Sequence, residues 1–334
     1  MIRRYLVTGA TGFLGRAVIR ELEWEAAETV ALVMKGDPYA SVLPDSVRVV
    51  TGDVLDGESL DRFFSYADRD TCVIHCAGVV SVATDPGDKL QRVNVGGTKK
   101  ILKQCRKKGV AKLIYVSSVH AIPERPKGET VTEEDAFSPG PVRGAYAKSK
   151  AAATAMVFEA AGSGLDVSVV YPSGIIGPDD LAKGSITSLL QSYVDGKLPV
   201  AVRGGYDFVD VRDVARSIVA CAKKGAPGKG YILSGHYAAI GDLLRFAGKA
   251  LGKGRRVILL PIRAAKLIAP AFERWSLRKG RPLFFTPYAV SVLDSNSLFS
   301  SERAERDLGH SARSVEESIR DTVFWLKTLK PQTA

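Results

Sequence analysis

The chain has 334 residues, 46% hydrophobic and 25% charged, a composition typical of a soluble globular protein with a large core. Its four cysteines include no Cys-x-x-Cys pair and no signal peptide is visible, so we predict that the protein is located in the reducing cytoplasm. Its four histidines are scattered and lack the spacings of the usual metal sites, so a protein-bound metal is not predicted. The net charge of +11 suits nucleic acid, an acidic membrane surface or an anionic small molecule, but no nucleic-acid motif accompanies it and nucleic-acid binding is not predicted.

Short apolar strands alternate with helical stretches in the first half of the chain. The predicted strands span residues 5–8, 29–33, 47–50, 72–75, 113–116 and 167–170. Apolar strands that are separated by helices form βαβ crossovers, which give a parallel sheet covered on both faces. The predicted fold class is therefore α/β, a doubly wound parallel sheet of the Rossmann type with a smaller, mostly C-terminal substrate-binding lobe.

The strand and helix pattern loosens after residue 172, where we place the domain boundary. Residues 1–172 are predicted to form the dinucleotide-binding domain. The chain is predicted to return to this domain at about 206–235 and 311–330, and the segments 173–205 and 236–310 are predicted to form the substrate-binding lobe.

An apolar and basic region spans residues 255–281 of this lobe. Pro261, Pro270 and intervening basic residues interrupt its apolar stretch, which is too short to span a bilayer. The region could lie on a membrane surface, but a lid over an apolar substrate is the simpler interpretation, and we adopt it.

A glycine-rich turn, residues 8–15, follows the first strand and begins the first helix. In such a turn Gly9 makes the tight bend, Gly12 lets the backbone approach a pyrophosphate, and Gly15 lets helix and strand pack closely. The helix N-terminus then offers free N–H groups to the phosphates. Dinucleotide binding is predicted for Gly9, Thr11, Gly12, Phe13 and Leu14.

Two further segments lie at the carboxyl ends of predicted strands, where open α/β sheets bind ligands. Residues 52–56, with Asp53, follow the third strand, and residues 75–78, with Ala77 and Gly78, follow the fourth. Asp53 could instead be a helix N-cap, and Gly78 a turn residue.

The end of the second strand should decide whether the cofactor carries a 2′-phosphate. An acidic residue there would bind the free ribose hydroxyls, whereas a basic residue would suit the phosphate. The sequence places Met34 and Lys35 there, before Asp37. We predict NADP(H) with Lys35 as its phosphate contact, while Asp37 could serve NAD if the strand ends later.

Tyr146 and Lys150 are four residues apart on a predicted helix, which puts phenol and ammonium on one face. A phenol titrates near about 10, so proton exchange at neutral pH needs a neighbouring positive charge. Ser118, at the end of a predicted strand, can donate a hydrogen bond to a substrate oxygen as charge develops there. Each feature also has an ordinary explanation, a surface pair or a loop cap, but their order along the chain favours one shared cleft.

These motifs together resemble the extended short-chain dehydrogenase/reductase family over essentially the whole chain. The matching segments are residues 8–15, 52–56, 75–78, 94–98, 115–118, 146–150, 171–178 and 208–215. The resemblance implies that Ser118 polarises the substrate oxygen, Tyr146 exchanges its proton, and Lys150 lowers the tyrosine pKa while holding the nicotinamide ribose.

The same resemblance implies further cofactor contacts. Asp53 and Val54 would contact the adenine. The other implied cofactor-site residues are Asn94 and Ser117, and, at the nicotinamide, Pro172, Ser173, Gly174 and Ile175. Many members of the family form homodimers through the helices that carry the equivalents of Asn94 and Tyr146, so a homodimer is expected by resemblance.

Within the family, residues 204–215 and 300–309 look most like the dihydroflavonol-reductase and 3β-hydroxysteroid-dehydrogenase branch. Our first hypothesis is therefore hydride transfer between a ketone and a secondary alcohol on a small apolar, steroid-, flavonoid- or terpenoid-like substrate. The alternatives are a nucleotide-sugar epimerase or dehydratase with bound NAD, and a non-catalytic dinucleotide-sensing protein. The second-strand end departs from the NAD-binding epimerases, which carry an acid there.

Overall fold

The computed structural model describes residues 2–134, 137–280, 283 and 285–329. Its centre is a seven-stranded sheet, in the order β10-β6-β5-β4-β1-β2-β3, with every neighbouring pair parallel. The strands are β1 (Arg4–Thr8), β2 (Glu28–Val33), β3 (Arg48–Thr51), β4 (Thr71–His75), β5 (Lys112–Val116), β6 (Val167–Pro172) and β10 (Lys229–Leu233). The six strands predicted from the sequence match β1 to β6 within two residues at either end, and the predicted Rossmann-type α/β fold is confirmed.

Helices cover both faces of this sheet. One face carries α1 (Phe13–Leu22), α6 (Val211–Lys224) and α10 (Glu302–Leu308), and the other carries α2 (Gly57–Phe63), α3 (Thr98–Lys108) and α4 (Ala145–Gly162). In β1, Leu6 packs towards the second set of helices, and Tyr5 and Val7 towards the first. Both faces are buried, which explains the continuous apolar runs in the sequence.

The remaining elements form smaller layers beside the carboxyl edge of the sheet. A three-stranded sheet contains β7 (Gly174–Ile176), β9 (Gly205–Asp210) and β11 (His236–Ala239), and β8 (Val200–Val202) pairs with β12 (Ile258–Leu260). The helices are α5 (Ser185–Val194), α7 (Ile240–Ala250), α8 (Ile262–Arg278), α9 (Pro287–Val292) and α11 (Val315–Thr328).

Only part of the two segments that were predicted to return to the nucleotide domain packs beside the large sheet. Strand β10 pairs with β6, and α6 packs against α1, beside the large sheet. Strand β9 instead pairs with β7 and β11, and α11 packs against α7 and α5. An apolar sequence pattern predicts that a segment is buried, but it does not predict which layer of the protein covers it. For this reason β9 and α11 lie outside the layer that was predicted for them.

The division into two domains stays a prediction. One continuous core cluster contains Leu6 and Val73 of the large sheet together with Leu190 and Leu243 of the smaller layers. Residue 330, at the end of the predicted second return, and residue 281, at the end of the apolar and basic region, lie outside the described residues.

Candidate active site

The glycine-rich turn connects β1 to α1 at the carboxyl edge of the sheet. Gly9 has φ +70°, a left-handed conformation that favours glycine, and a Cβ there would lie 2.7 Å from the backbone nitrogen of Ala77. A Cβ on Gly15 would collide with the carbonyl oxygen of Gly9. The turn therefore packs tightly against both its own helix and the segment after β4.

The N-terminus of α1 fits the pyrophosphate of a dinucleotide. Gly12 precedes the helix, and within the described structure no side chain caps this end and its first turn carries no acidic residue. Free N–H groups and the positive end of the helix dipole attract a phosphate. The predicted contacts of Thr11, Phe13 and Leu14 stay predictions, but the backbone around them has the required form.

Arg16 is a buried cation beside this turn that the sequence analysis missed. Its guanidinium donates to the carbonyl oxygen of Thr11 at 2.9 Å and to that of Asp179. Burial lowers the pKa of Arg16, with the charge of Asp179 opposing. An arginine in a first helical turn is common, so only the folded chain shows that Arg16 connects the turn to the loop after β7.

At the end of β2, Lys35 and Asp37 have different surroundings. The strand ends at Val33, so the later ending that would favour NAD does not occur. Lys35 is exposed. Asp37 accepts hydrogen bonds from the Thr11 hydroxyl at 2.7 Å and from the Tyr39 backbone nitrogen at 2.9 Å. Asp37 therefore stabilises the glycine-rich turn.

In the segment after β3, both the backbone and the carboxylate of Asp53 are hydrogen-bonded to neighbouring residues. Asp53 accepts from the backbone nitrogen of Leu55 at 2.8 Å, whereas Asp56 caps α2 by accepting from Glu58 and Ser59. The alternative interpretation of Asp53 as a helix N-cap is therefore wrong. Val54 is buried next to it, and the adenine contacts of Asp53 and Val54 stay predictions.

A buried polar network joins the ends of β1 and β4. His75 Nδ1 lies 2.7 Å from the Thr8 hydroxyl, and Nε2 lies 3.1 Å from the Thr98 hydroxyl. The backbone nitrogen of Ala77 donates to the Thr8 hydroxyl at 3.2 Å. Burial, reinforced by the charge of Lys150, lowers the pKa of His75 to about 3. A neutral His75 therefore holds the predicted cofactor segment containing Ala77.

Asn94 lies in a π-helical turn, Gln91–Gly97, that leads into α3. Its Oδ1 accepts from the Val79 backbone nitrogen at 2.7 Å, and its Nδ2 donates to the Val79 oxygen and to the Ser149 hydroxyl, both at 3.0 Å. Asn94 therefore connects the segment after β4 to α4. In this arrangement it positions Gly78, where a Cβ would lie 3.4 Å from Lys150 Nζ.

Ser118, Tyr146 and Lys150 come together at the carboxyl end of β5. Tyr146 and Lys150 lie on the first turns of α4 and are both buried. Ser118 begins a short helical turn, and its hydroxyl lies close enough to the Tyr146 side chain to lower the tyrosine pKa. Ser117 instead lies 2.7 Å, hydroxyl to hydroxyl, from Thr154 in α4. Of the two adjacent serines, Ser118 meets the tyrosine and Ser117 anchors the helix.

The proton-carrying groups of this cluster have shifted pKa values. Burial raises the pKa of Tyr146 to about 12, and the hydrogen bond with Ser118 opposes this shift. Burial lowers the pKa of Lys150 to about 8, while its Nζ donates to the Val116 oxygen at 2.8 Å and lies 5.1 Å from the Tyr115 ring centre. At neutral pH Tyr146 thus carries a proton. The lowering of its pKa by Lys150 stays a prediction.

Three aromatic side chains form a cluster beside Tyr146, with His120 in contact with Tyr146 and with the other two, and we call them the aromatic wall: His120, Tyr206 and Tyr288. The ring of His120 lies 6.0 Å from Tyr146, edge to face, and stacks on Tyr206 at 5.7 Å. Tyr288 lies 6.1 Å from His120, and its buried hydroxyl has no hydrogen-bond partner among the described residues. No sequence motif indicates this wall, because its members come from β9, α9 and the turn after β5.

A glycine lets the aromatic wall approach α4. Gly144, at φ +92°, precedes the helix, and a Cβ there would collide with the ring of Tyr288. The Thr286 hydroxyl at the start of α9 donates to the Val82 oxygen. The segment before Tyr288 is therefore bound to the loop after β4, and Tyr288 of α9 packs against the start of α4.

The segment 172–175 crosses from β6 into β7 beside this cluster. The backbone nitrogen of Ser117 donates to the Val170 oxygen at 2.9 Å, so the ends of β5 and β6 are adjacent. Pro172 ends β6, Ser173 is buried, and Gly174 and Ile175 begin β7. The fold places these residues at the edge where the nicotinamide is expected, and their contacts with it stay predictions.

The buried histidines predict an acid-sensitive fold. Burial also lowers the pKa of His120, to about 4. An unfolded histidine binds its proton near 6.5, so the free energy of unfolding should fall as the pH is lowered from 6.5 through these folded pKa values. Each histidine contributes a slope of at most about 1.4 kcal/mol per pH unit.

Urea denaturation at a series of pH values measures this slope. His120→Phe keeps a ring in the stack and removes one titrating group, so its acid slope should be shallower than that of the wild type. His236→Asn is the control, because His236 is exposed. An unchanged slope in the His120 variant would contradict the neutral state of His120 in the folded protein.

Similarity to known proteins covers most of the chain. The model of the NAD dependent epimerase/dehydratase family matches residues 5–234. Sterol demethylase protein B of Methylococcus capsulatus is 28% identical, covering 96% of this chain and 98% of the relative. A putative dihydroflavonol 4-reductase of Synechocystis is 27% identical, covering 97% and 94%. The 3beta-hydroxysteroid-dehydrogenase/decarboxylase isoform 1 of Arabidopsis thaliana is 27% identical, covering 98% and 80%.

Solved structures share the fold along nearly the whole chain. The crystal structure of gox2253 has a TM-score of 0.83 and 27% identity, covering 97% of this chain and 98% of that one. UDP-glucose 4-epimerase of Thermotoga maritima has a TM-score of 0.79 and 20% identity, covering 98% and 100%. The resemblance noted from the motifs is confirmed, and the chain belongs to the NAD dependent epimerase/dehydratase family of extended short-chain dehydrogenases/reductases.

Proposed function

We propose that this protein interconverts a ketone and a secondary alcohol on a small apolar ring substrate, with a nicotinamide dinucleotide as hydride carrier. The observation that carries the proposal is the convergence of Ser118, Tyr146 and Lys150 beside the aromatic wall. A hydroxyl donor, a phenol and a buried ammonium are the groups that chemistry at a carbon–oxygen bond requires. The flat faces of the wall suit a ring system that stacks and has few polar groups.

In this mechanism the side chains handle the proton and the developing charge. The Ser118 hydroxyl donates a hydrogen bond to the substrate oxygen. In reduction the Tyr146 hydroxyl gives that oxygen its proton, and in oxidation it accepts the proton back. In this proposal the ammonium of Lys150 holds the nicotinamide ribose and favours the ionised phenol. When bound, the dinucleotide supplies or accepts the hydride.

The relatives support the proposed substrate class. Their names include a sterol demethylase protein, a dihydroflavonol reductase and a 3beta-hydroxysteroid dehydrogenase/decarboxylase, whose names point to fused or linked ring systems. The UDP-glucose epimerases share the fold at 20% and 23% identity. We therefore favour a sterol-, flavonoid- or terpenoid-like ring alcohol over a nucleotide-sugar.

Net change of the cofactor distinguishes these functions. The purified protein is incubated with NAD, NADP and a panel of ring alcohols, with and without a carboxyl group beside the alcohol carbon, and with nucleotide-sugars. We expect reduced cofactor to form in proportion to ketone. Epimerised or dehydrated nucleotide-sugar without net cofactor change would contradict the proposal, and cofactor binding without turnover of any substrate would indicate a dinucleotide-sensing protein.

We further propose that NADP(H) is preferred, with Lys35 at the 2′-phosphate. Lys35 is exposed just beyond the end of β2, and Asp37 is hydrogen-bonded to Thr11. Lys35→Ala should weaken NADPH binding about tenfold through the loss of one charged contact and leave NADH binding unchanged. Titration calorimetry measures both affinities.

A matched variant controls for the loss of positive charge. Lys103→Ala removes an exposed lysine from α3 and should leave both affinities unchanged. Tighter NADH than NADPH binding in the wild type, or equal effects of the two variants, would contradict the assignment of Lys35.

A further inference from the structure

Helix α8 has small and polar residues on its buried face. The residues that pack inward are Ala265, Ala269, Glu273 and Ser276. Their spacing of three and four residues marks one face of a helix. This face gives α8 little large apolar surface to bury against the rest of the protein.

Several large apolar residues of α8 lie on its outer side. Leu267 is 82% exposed and Ile268 is 47% exposed. Ala271 is also exposed, and Trp275, which packs against Phe272, is 40% exposed. Leu267, Ala271 and Trp275 recur every four residues, so they form a stripe along the helix, which we call the outer stripe. Such surface is costly in water unless something covers it.

Basic residues lie within and beside the outer stripe. They are Arg263, Lys266, Arg274, Arg278 and Lys279. Glu273 is the single acid between residues 255 and 280, and its buried carboxylate accepts from the Thr84 backbone and hydroxyl, both at 2.7 Å. Lys266 pairs with Asp294. The outer side of α8 therefore combines an apolar stripe with an excess of positive charge.

In place of the substrate lid expected from the sequence, we propose that α8 docks on the surface of an anionic lipid bilayer, with its outer stripe in the headgroup region. A basic helix with an exposed apolar side lies in the plane of such an interface. Two copies of this chain would bring like charges together, and a nucleic acid would leave the stripe in water. In the part of the chain that the structure describes, no helix is both long and apolar enough to cross a membrane.

Docking would place the membrane beside the candidate active site. Glu273 of α8 holds Thr84, and Thr286 at the start of α9 holds Val82, both in the loop that follows β4. That loop leads from Gly78, next to Lys150. Entry of an apolar substrate from the bilayer is a consequence that rests on the proposed function, whereas docking does not depend on it.

Vesicle flotation with the full chain tests docking. The vesicles are made of phosphatidylcholine alone or of phosphatidylcholine mixed with phosphatidylglycerol. We expect binding to the mixed vesicles, reduced by salt, and weak binding to the neutral ones. Leu267→Glu combined with Ala271→Glu should weaken binding at least about tenfold, because it removes apolar contact and adds negative charge.

The control variant carries the same change in net charge elsewhere. Trp24 and Phe324 are exposed, and Trp24→Glu with Phe324→Glu should retain most of the binding. If both double variants lost the same amount of vesicle binding, the binding would depend on net charge alone, and the proposal would be overturned. The proposal would also be overturned if the wild-type protein did not bind the mixed vesicles. The same holds if light scattering showed a dimer that only the α8 double variant dissociates, because the outer stripe would then be a dimer interface. Dinucleotide binding, measured in parallel, shows that each variant is folded.

Discussion

Tyr146→Phe should lower turnover about a thousandfold and leave the dinucleotide dissociation constant within about twofold. The substitution keeps the ring against His120 and removes the titrating hydroxyl beside Ser118. His120 is a poor replacement for the lost proton carrier, because burial lowers its pKa to about 4, and its ring is neutral at pH 7. Steady-state kinetics in both directions and equilibrium titration with cofactor measure the two effects.

Tyr237→Phe provides the control for the loss of a phenol. Tyr237 is exposed on β11 and should keep wild-type turnover. A Tyr146 variant with wild-type rates would refute the mechanism. A variant with lost cofactor binding would instead show that Tyr146 maintains the cofactor site, and its turnover could not then be interpreted as chemistry.

Gly15→Ala is expected to weaken dinucleotide binding by between about tenfold and a hundredfold and to destabilise the fold by about 1–3 kcal/mol. The added methyl group would overlap the carbonyl oxygen of Gly9, so the glycine-rich turn has to move away from α1. Gly9 itself packs against Ala77, and this displacement would also disturb the segment after β4. Calorimetric titration and thermal unfolding report the two losses separately.

Gly162→Ala is the matched control at the end of α4. A Cβ there has no atom within 4 Å, so the same chemical change should cost neither affinity nor stability. If Gly15→Ala binds dinucleotide as tightly as Gly162→Ala does, the close packing of α1 against the turn is not required for binding.

Local patterns in the sequence were sufficient for the nucleotide-binding half. The six strands β1 to β6 were predictable because each is a short apolar run buried on both faces, and the glycine-rich turn because its glycines lie between a strand and a helix. Tyr146 and Lys150 were predictable as a pair because a helix brings residues four apart together. These features depend on neighbours in the chain.

Other parts of the candidate site depend on partners far away in the sequence. Which of Ser117 and Ser118 faces Tyr146 was decided by Thr154, which holds the first serine. The aromatic wall combines residues from three separate elements, and neither His120 nor Tyr288 belongs to a motif. No periodicity within one segment can predict such contacts.

The sequence by itself thus determined the fold class, the glycine-rich turn and the pairing of Tyr146 with Lys150 on one helix, because each is encoded by the spacing of residues within one strand, turn or helix. Only the tertiary structure decided that β9 and α11 pack outside the large sheet, that Asp37 stabilises the turn through Thr11, and that the outer stripe of α8 is exposed. Burial and hydrogen bonding between distant segments are properties of the packed chain, since they depend on which surfaces meet.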